Sequence, residues 1–151
     1  MIIQPNSSMI KRGLLGEILI EYRIISDAQL SEALFIQTKK KSYIGDILFA
    51  LGYVNEIDIV LGLGVQCGFP YIDIKKYLPQ LKEVSMYIPK ELARKHAMVA
   101  LDKVGTILSL VMANPLDMAL RENLADLTSC QIAPFIALKS EIINVIDQCY
   151  A

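Results

Sequence analysis

The stretch Leu14–Gln37, "LLGEILIEYRIISDAQLSEALFIQ", is matched in pattern by Tyr43–Gln66, "YIGDILFALGYVNEIDIVLGLGVQ". Each stretch has 24 residues, and a shift of 29 residues superimposes one on the other. Such a correspondence predicts an internal structural repeat. The pairs that coincide are Gly16 with Gly45, Leu19 with Leu48, Leu30 with Ile59, Leu34 with Leu63, and Gln37 with Gln66.

Each copy of the repeat has the sequence pattern of a helical hairpin. Apolar residues recur at helical spacing, and Ser26 to Gln29 form a capping-box pattern that opens a second helix. In the second copy, Gly52 suits a left-handed helix end, and Asn55 suits the start of the next helix. We therefore expect two helical hairpins whose interior contains Leu19, Leu30, Leu34, Leu48, Ile59 and Leu63.

After the repeat, β-strand and helix patterns alternate. The strands are predicted at Met98–Lys103, Ile107–Ala113 and Ile132–Ala137. A helix over Leu116–Leu127, capped by Asn114 with Pro115 at its first position, and another over Glu141–Gln148 are predicted to cover the sheet. The fold class is therefore α+β, with an N-terminal pair of helical hairpins followed by a small α/β sandwich. The predicted domains are residues 1–70 and 71–151.

Composition limits the classes of partner and location. The chain has 151 residues and a net charge of −1, which does not favour nucleic acid as a partner. The longest charge-free stretches, Ile59–Ile72 and Val104–Leu116, are shorter than the roughly 20 residues that span a bilayer. No secretory signal is evident, so we expect a cytoplasmic protein that does not span a membrane.

No residue set suggests catalysis or a resident cofactor. His96 is the only histidine, and it has no cysteine or carboxylate neighbours at metal-ligand spacing. The cysteines Cys67, Cys130 and Cys149 are widely spaced and fit reduced thiols. The sequence contains no G-x-x-x-x-G-K-[ST] motif, so an ATPase phosphate-binding loop is not expected in this chain. We predict no enzyme activity, no metal and no cofactor.

The two copies resemble the paired 24-residue motif of the MshEN domain, which occurs at the N-terminus of secretion and pilus ATPases. The family pattern is Arg-Leu-Gly followed by Leu, Gly, Leu, Leu and Gln at fixed spacings, and Thr38–Ser42 forms a five-residue spacer as in the family. The later segments "FPYIDI", "IPKELARKHAMVAL" and "ILSLVMANPLDM" also resemble the N-terminal domain of type II secretion ATPases. The resemblance runs from about Leu14 to Tyr150.

This resemblance implies a possible ligand, cyclic di-GMP, because some members of the family bind it with one motif on each half of the ligand. A leading arginine in each motif helps to hold the guanine, and apolar side chains and close backbone approach at glycine complete the site. The residues that match the motif and are candidate ligand contacts are Leu15, Gly16, Leu19, Leu30, Leu34, Gln37, Ile44, Gly45, Leu48, Gly52, Ile59, Leu63 and Gln66.

The chain departs from the motif at its charged positions. Leu14 and Tyr43 stand where the family has arginine, and Arg23 stands where it has glycine. Lys11, Arg12 and the run Lys39–Lys41 either supply substitute charge or form a solvated rim. The glycines and leucines likewise have a simpler interpretation, in which they only pack the hairpins together.

Two functions from different classes follow. The favoured one is a non-catalytic regulatory and docking module of a type II secretion or type IV pilus assembly ATPase system, recruited to the inner-membrane face by binding a platform protein there. The alternative is a cyclic di-GMP sensor that uses degenerate MshEN motifs.

Overall fold

The computed structural model describes residues 2–3 and 14–150, and the chain divides into two compact units. Residues 14–68 form the helical unit, and residues 2–3 with 69–150 form the α/β unit. The assignment of residues 1–70 and 71–151 as functional domains stays a prediction. No helix within the described residues is both long and apolar enough to cross a membrane.

The helical unit consists of the two predicted hairpins. Capping boxes begin the second helix of each hairpin: Ser26 accepts from the Gln29 backbone at 3.2 Å, and Asn55 accepts from the Asp58 backbone at 2.8 Å. The caps lie 29 residues apart, as the repeat requires. The helices are α1 (Leu15–Glu21), α2 (Asp27–Gln37), α3 (Ile44–Ala50) and α4 (Glu56–Cys67).

The first helix of each hairpin ends in the same way. Arg23 and Gly52 both adopt left-handed backbone conformations, with φ of 60° and 80°. The following amides, Ile24 and Tyr53, donate to the carbonyls of Leu19 and Leu48 at 2.9 and 3.0 Å, which is the hydrogen bond of a Schellman helix end. Only the second copy has glycine in the left-handed position, so the first copy adopts a conformation that disfavours its side chain.

Glycines allow the helices to approach one another. A Cβ built on Gly16 would lie 2.4 Å from Leu30 Cδ1, and one on Gly62 would lie 2.5 Å from Leu15 Cδ1. At Gly45 the nearest atoms are Leu15 Cδ2 at 3.2 Å and Ile59 Cγ2 at 3.3 Å. Packing between helices therefore accounts for glycine at all three positions.

The prediction of an interior position is wrong for one of the six core residues. Leu19, Leu48 and Leu63 are buried, and Leu30 and Ile59 are half-buried, but Leu34 is 45% exposed. The buried face of α2 is centred on Ala33, which is fully buried, and the next residue along a helix points about 100° away. Its counterpart Leu63 is buried because α4 is covered over a wider arc, in which Val60, Gly62, Leu63 and Val65 are all buried.

The α/β unit contains the three predicted strands in a five-stranded sheet, and the α+β class is confirmed. Strand order is β1-β2-β5-β4-β3, with β3 antiparallel to β4 and β4 parallel to β5. Helix α8 contacts β3 and β4, and α7 contacts β5. The strands are β1 (Ile2–Ile3), β2 (Tyr71–Ile72), β3 (Met98–Val104), β4 (Ile107–Met112) and β5 (Gln131–Ile136). The helices are α5 (Leu78–Val84), α6 (Lys90–His96), α7 (Met118–Thr128) and α8 (Lys139–Cys149).

Asn114 does not cap α7, contrary to the prediction. Its side chain accepts from the Leu116 backbone at 2.9 Å and forms a turn before the helix begins. Asp117 is the N-cap, and its carboxylate accepts from the Leu120 backbone at 2.9 Å. The Asn-Pro pair therefore marks a turn in this chain, and the helix begins three residues after Pro115, at Met118.

Among residues 2–3 and 14–150, the outer edge of β5 is only partly paired. Its contact with β2 joins Tyr71 and Ile136, where the Ile136 amide donates to the Pro70 carbonyl at 2.8 Å. The Gln131 amide donates toward the opposite side, to Thr106 at 2.7 Å. The backbone amides of successive residues in a strand point to opposite edges of that strand. The nitrogen of Pro134 therefore points, like the amide of Ile136, toward the partly paired edge.

The substitution Arg23→Gly is expected to raise the free energy of unfolding of the helical unit by about 0.5 to 1 kcal/mol, because glycine has no left-handed penalty. Gly52→Ala is the matched change in the other copy, where a Cβ would meet nothing within 4 Å. It should lower stability by about 1 kcal/mol through backbone conformation alone. Urea unfolding followed by circular dichroism measures both. A loss of stability in the Arg23→Gly variant would contradict this assignment.

Gly16→Ala should destabilise the helical unit because its methyl group would collide with Leu30. In a double-mutant cycle with Leu30→Ala, we expect a coupling of about 1 kcal/mol, since the second change removes the collision. Gly45→Ala is the milder matched control, because its nearest neighbour would lie at 3.2 Å. Strictly additive effects of Gly16→Ala and Leu30→Ala, measured by denaturant unfolding, would show that Gly16 is not needed for this contact.

Candidate ligand-binding and docking surface of the helical unit

The thirteen motif residues predicted from the sequence differ in burial, and six of them are buried in the helical unit. Leu34 and Gly52 are exposed. Leu30, Gln37, Ile44, Ile59 and Gln66 are half-buried. The buried members are Leu15, Gly16, Leu19, Gly45, Leu48 and Leu63. The half-buried and exposed residues are the ones that a ligand on the surface can reach, and a ligand-binding role for any of the thirteen stays a prediction.

The two residues that replace arginine occupy equivalent places. Leu14 is the N-cap of α1 and Tyr43 is the N-cap of α3, both with extended backbone and without a side-chain hydrogen bond to the helix. Their exposed fractions are 67% and 44%. The structure therefore presents an apolar and an aromatic side chain at the two places where the motif has a guanidinium group.

The two motif glutamines have different surroundings. Gln37 Nε2 donates to the Ser42 carbonyl at 3.0 Å and ties the end of α2 to the residues before α3. Gln66 Oε1 is buried and makes no hydrogen bond within the described residues. A buried amide oxygen without a donor is costly, so Gln66 is a position at which an added donor would be favourable.

Positive charge is confined to a small part of the helical unit. Lys39, Lys40 and Lys41 are exposed and follow α2 directly, and the Lys39 ammonium lies 4.6 Å from the centre of the Phe35 ring. In residues 14–68 the only other basic residue is Arg23. The other two candidate cations, Lys11 and Arg12, lie outside the described residues.

Several exposed apolar residues of the helical unit were not identified from the sequence. They fall at positions that the MshEN motif leaves unspecified, and their helical spacing resembles that of core residues, so no sequence signal separated them from the interior. Tyr22, Phe35, Phe49, Ile57 and Leu61 belong to this group and are between 47% and 61% exposed. A contiguous patch of such side chains is typical of an interaction surface, whereas singly exposed apolar residues are normal on any protein.

A tyrosine links the two hairpins at the surface. Tyr53 donates its hydroxyl to the Glu32 carboxylate, with oxygens at 2.7 and 3.0 Å. This hydrogen bond to an anion raises the pKa of Tyr53 above its usual value. Glu32 is therefore engaged within the unit.

A cluster of titratable groups in the α/β unit lies around the start of α8. Lys75 pairs with Glu141 at 3.2 Å, and this partner raises the pKa of Lys75. Burial raises the pKa of Tyr71, and the charges of Glu141 and Asp73 add to the effect. Within the described residues, no group of three or more histidine, cysteine or carboxylate side chains is arranged to hold a metal ion. The cluster has the properties of a structural ion pair and lacks a paired nucleophile and base.

Comparison with known proteins identifies relatives of both units. The MshEN domain family model matches residues 67–151. A solved structure described as MshE with cdg has a TM-score of 0.78 and 27% identity, and the similarity covers 92% of this chain and 100% of that one. The N-terminal domain of XpsE, at 22% identity, has a TM-score of 0.77 over 91% of this chain and 94% of its own, which shows a shared fold.

Two curated relatives are type IV pilus assembly ATPases named PilB. The one from Myxococcus xanthus is 31% identical over 92% of this chain, and the one from Thermus thermophilus is 24% identical over 90%. The chain spans only 24% and 15% of the length of these relatives, so the ATPase activity in their names belongs to much longer proteins.

The matched family range begins at the last residue of α4, so the repeated hairpins are related to MshE through the shared structure, while the α/β unit is related through the family model as well. The resemblance inferred from the sequence is confirmed, and the chain belongs to the MshEN domain family.

Proposed function

We propose that this chain is a non-catalytic regulatory and docking module of a type IV pilus or type II secretion ATPase system. It acts in the cytoplasm and binds the cytoplasmic part of an inner-membrane platform protein. The observation that carries the proposal is the exposure of Leu14 and Tyr43 on an otherwise intact repeat scaffold. In this proposal residues 1–70 are the MshEN-like helical repeat subdomain, and residues 71–151 are the α/β subdomain.

The scaffold of two hairpins is kept, while Leu14 and Tyr43 replace the arginines that would contact a charged ligand. Helix caps and Schellman ends are present in both copies. Leucine and tyrosine at the two N-cap positions add apolar surface to a unit already rich in it. Apolar and aromatic anchors of this kind contribute most of the affinity in protein interfaces, whereas a dianionic nucleotide needs positive charge.

The docking proposal is tested with the double substitution Leu14→Ser and Tyr43→Ser. Serine is a favoured N-cap residue, so the helices should be retained while the apolar side chains are lost. We expect binding to the cytoplasmic domain of a pilus or secretion platform protein to weaken at least tenfold, as measured by calorimetry or biolayer interferometry.

The matched control is Met86→Ser with Met118→Ser, which removes side chains that are 76% and 63% exposed in the α/β unit. The control should bind like the parent chain. Equal weakening by both double variants, or unchanged binding by the first, would contradict the docking role of Leu14 and Tyr43.

A second candidate function is a cyclic di-GMP sensor, and the specific observation in its favour is the similarity to MshE solved with cdg, which is cyclic di-GMP. Tyr43 offers an exposed ring for stacking on a base, and Gln66 has a buried oxygen that no described residue supplies with a donor. Lys39–Lys41 offer charge for the phosphates. The ligand would contact the accessible members of the thirteen motif residues.

Two missing guanidinium contacts should weaken cyclic di-GMP binding at least a hundredfold relative to a family member that keeps both arginines. Calorimetry of the parent chain should then show little heat at low micromolar ligand. The triple substitution Leu14→Arg, Tyr43→Arg and Arg23→Gly should restore binding if the hairpins keep the family geometry. Tight binding by the parent chain would favour the sensor function over the docking function.

A further inference from the structure

The charges of the helical unit are segregated. Residues 14–68 contain four basic residues, and three of them are the consecutive Lys39, Lys40 and Lys41. The acidic residues lie elsewhere in the unit, on all four helices. They are Glu17, Glu21, Asp27, Glu32, Asp46, Glu56 and Asp58. A unit with a net negative charge therefore has one strongly positive loop.

The backbone of this loop is held in place by hydrogen bonds. Gln37 Nε2 donates to the Ser42 carbonyl at 3.0 Å, and the Lys39 amide donates to the Ile36 carbonyl at 3.0 Å. Thr38 Oγ1 donates to the Phe35 carbonyl at 2.6 Å. The chain segment is thus ordered while its lysine side chains extend into solvent, so little backbone ordering is needed when they bind a surface.

Exposed apolar side chains lie close to the lysines in sequence, and one of them, Phe35, contacts Lys39. Phe35 is 61% exposed, Leu34 is 45% exposed and Tyr43 is 44% exposed. Lys39 lies over the Phe35 ring, which places a cation and an aromatic side chain at the same point of the surface. Lysine with exposed aromatic and leucine side chains is the composition of segments that lie in the interface of a lipid bilayer.

We propose that the Lys39–Lys41 loop, with Phe35, contacts the surface of an anionic membrane directly. The lysines neutralise lipid phosphates, and the Phe35 ring enters the headgroup region. The acidic residues elsewhere on the unit are repelled by the same surface, so the loop is the part of the unit that faces the bilayer. Lysine suits this role because it is a mobile point charge without a fixed recognition geometry.

The lysines also lie just beyond the C-terminus of α2, where positive charge stabilises the helix by interacting with the negative end of its dipole. That effect decays within one turn and does not require exposed aromatic side chains beside the charges. The proposal goes beyond the docking function, because the partner is lipid and no protein contact is involved. The two can therefore fail independently.

The test uses the 151-residue chain and vesicles without protein. Vesicles rich in phosphatidylglycerol should bind the chain in co-sedimentation, and vesicles of phosphatidylcholine alone should not. Each lysine near an anionic surface contributes about fivefold, so the substitution of Lys39, Lys40 and Lys41 by Gln should lower partitioning about a hundredfold. Raised salt should lower the binding of the parent chain in the same direction.

The matched control replaces three exposed lysines of the α/β unit, Lys76, Lys82 and Lys95, by Gln. It changes the net charge equally and should reduce partitioning far less than the loop variant. Phe35→Ser should weaken binding about tenfold if the ring enters the interface. Circular dichroism verifies that each variant is folded.

Three outcomes would overturn the proposal. The first is equal binding to neutral and anionic vesicles, and the second is equal loss in the two triple-lysine variants. The third is unchanged vesicle binding in the loop variant, which would leave the three lysines without a role at the membrane.

Discussion

The helical unit depends on leucine side chains that rest directly on glycine backbones. Leu30 occupies the space above Gly16, and Leu15 occupies the space above both Gly45 and Gly62. Leu15 therefore joins α1 to helices of the second hairpin, and the caps and turns serve to place these few contacts in register. Gly62 lies in the interior of α4, where glycine lowers helix propensity by about 1 kcal/mol, and here close packing offsets that loss.

This packing changes the interpretation of the motif glycines. In the helical unit Leu30 packs against Gly16 and Leu15 packs against Gly45, and a ligand contact at either glycine stays a prediction. The surface also presents the pair Leu14 and Tyr43, together with the positive loop Lys39–Lys41. The scaffold and the surface of this MshEN domain have thus diverged to different extents.

Much of the fold could be predicted because its signals are local. Ser26 and Asn55 are followed three residues later by partners that complete a capping box. The three long strands coincide with runs of apolar residues. Leu34 could not be predicted, since the repeat in sequence does not show that α2 and α4 have unequal cover. Asn114 was misleading because a turn and a helix start use the same residue types, and only the chain geometry separates them.

The candidate site was less predictable than the fold. Burial of the motif residues follows from their apolar character, but the exposure of Phe35, Phe49 and Leu61 depends on which helix faces are covered. Different loops follow the equivalent helices α2 and α4. Gln37 therefore bonds to Ser42, whereas the Gln66 oxygen has no partner among the described residues. Equivalent residues of the repeat therefore have the same backbone conformation but different neighbouring side chains and loops.

Pro134 has a consequence for the behaviour of the chain at high concentration. A sheet edge with free backbone groups is a template on which strands of other molecules assemble, and within the described residues β5 has such an edge beyond its single pairing with β2. A proline has no amide hydrogen to give to an incoming strand, and it interrupts the row of donors at the middle of that edge. Pro134 thus disfavours the addition of strands from other molecules and the fibrous self-association that would follow.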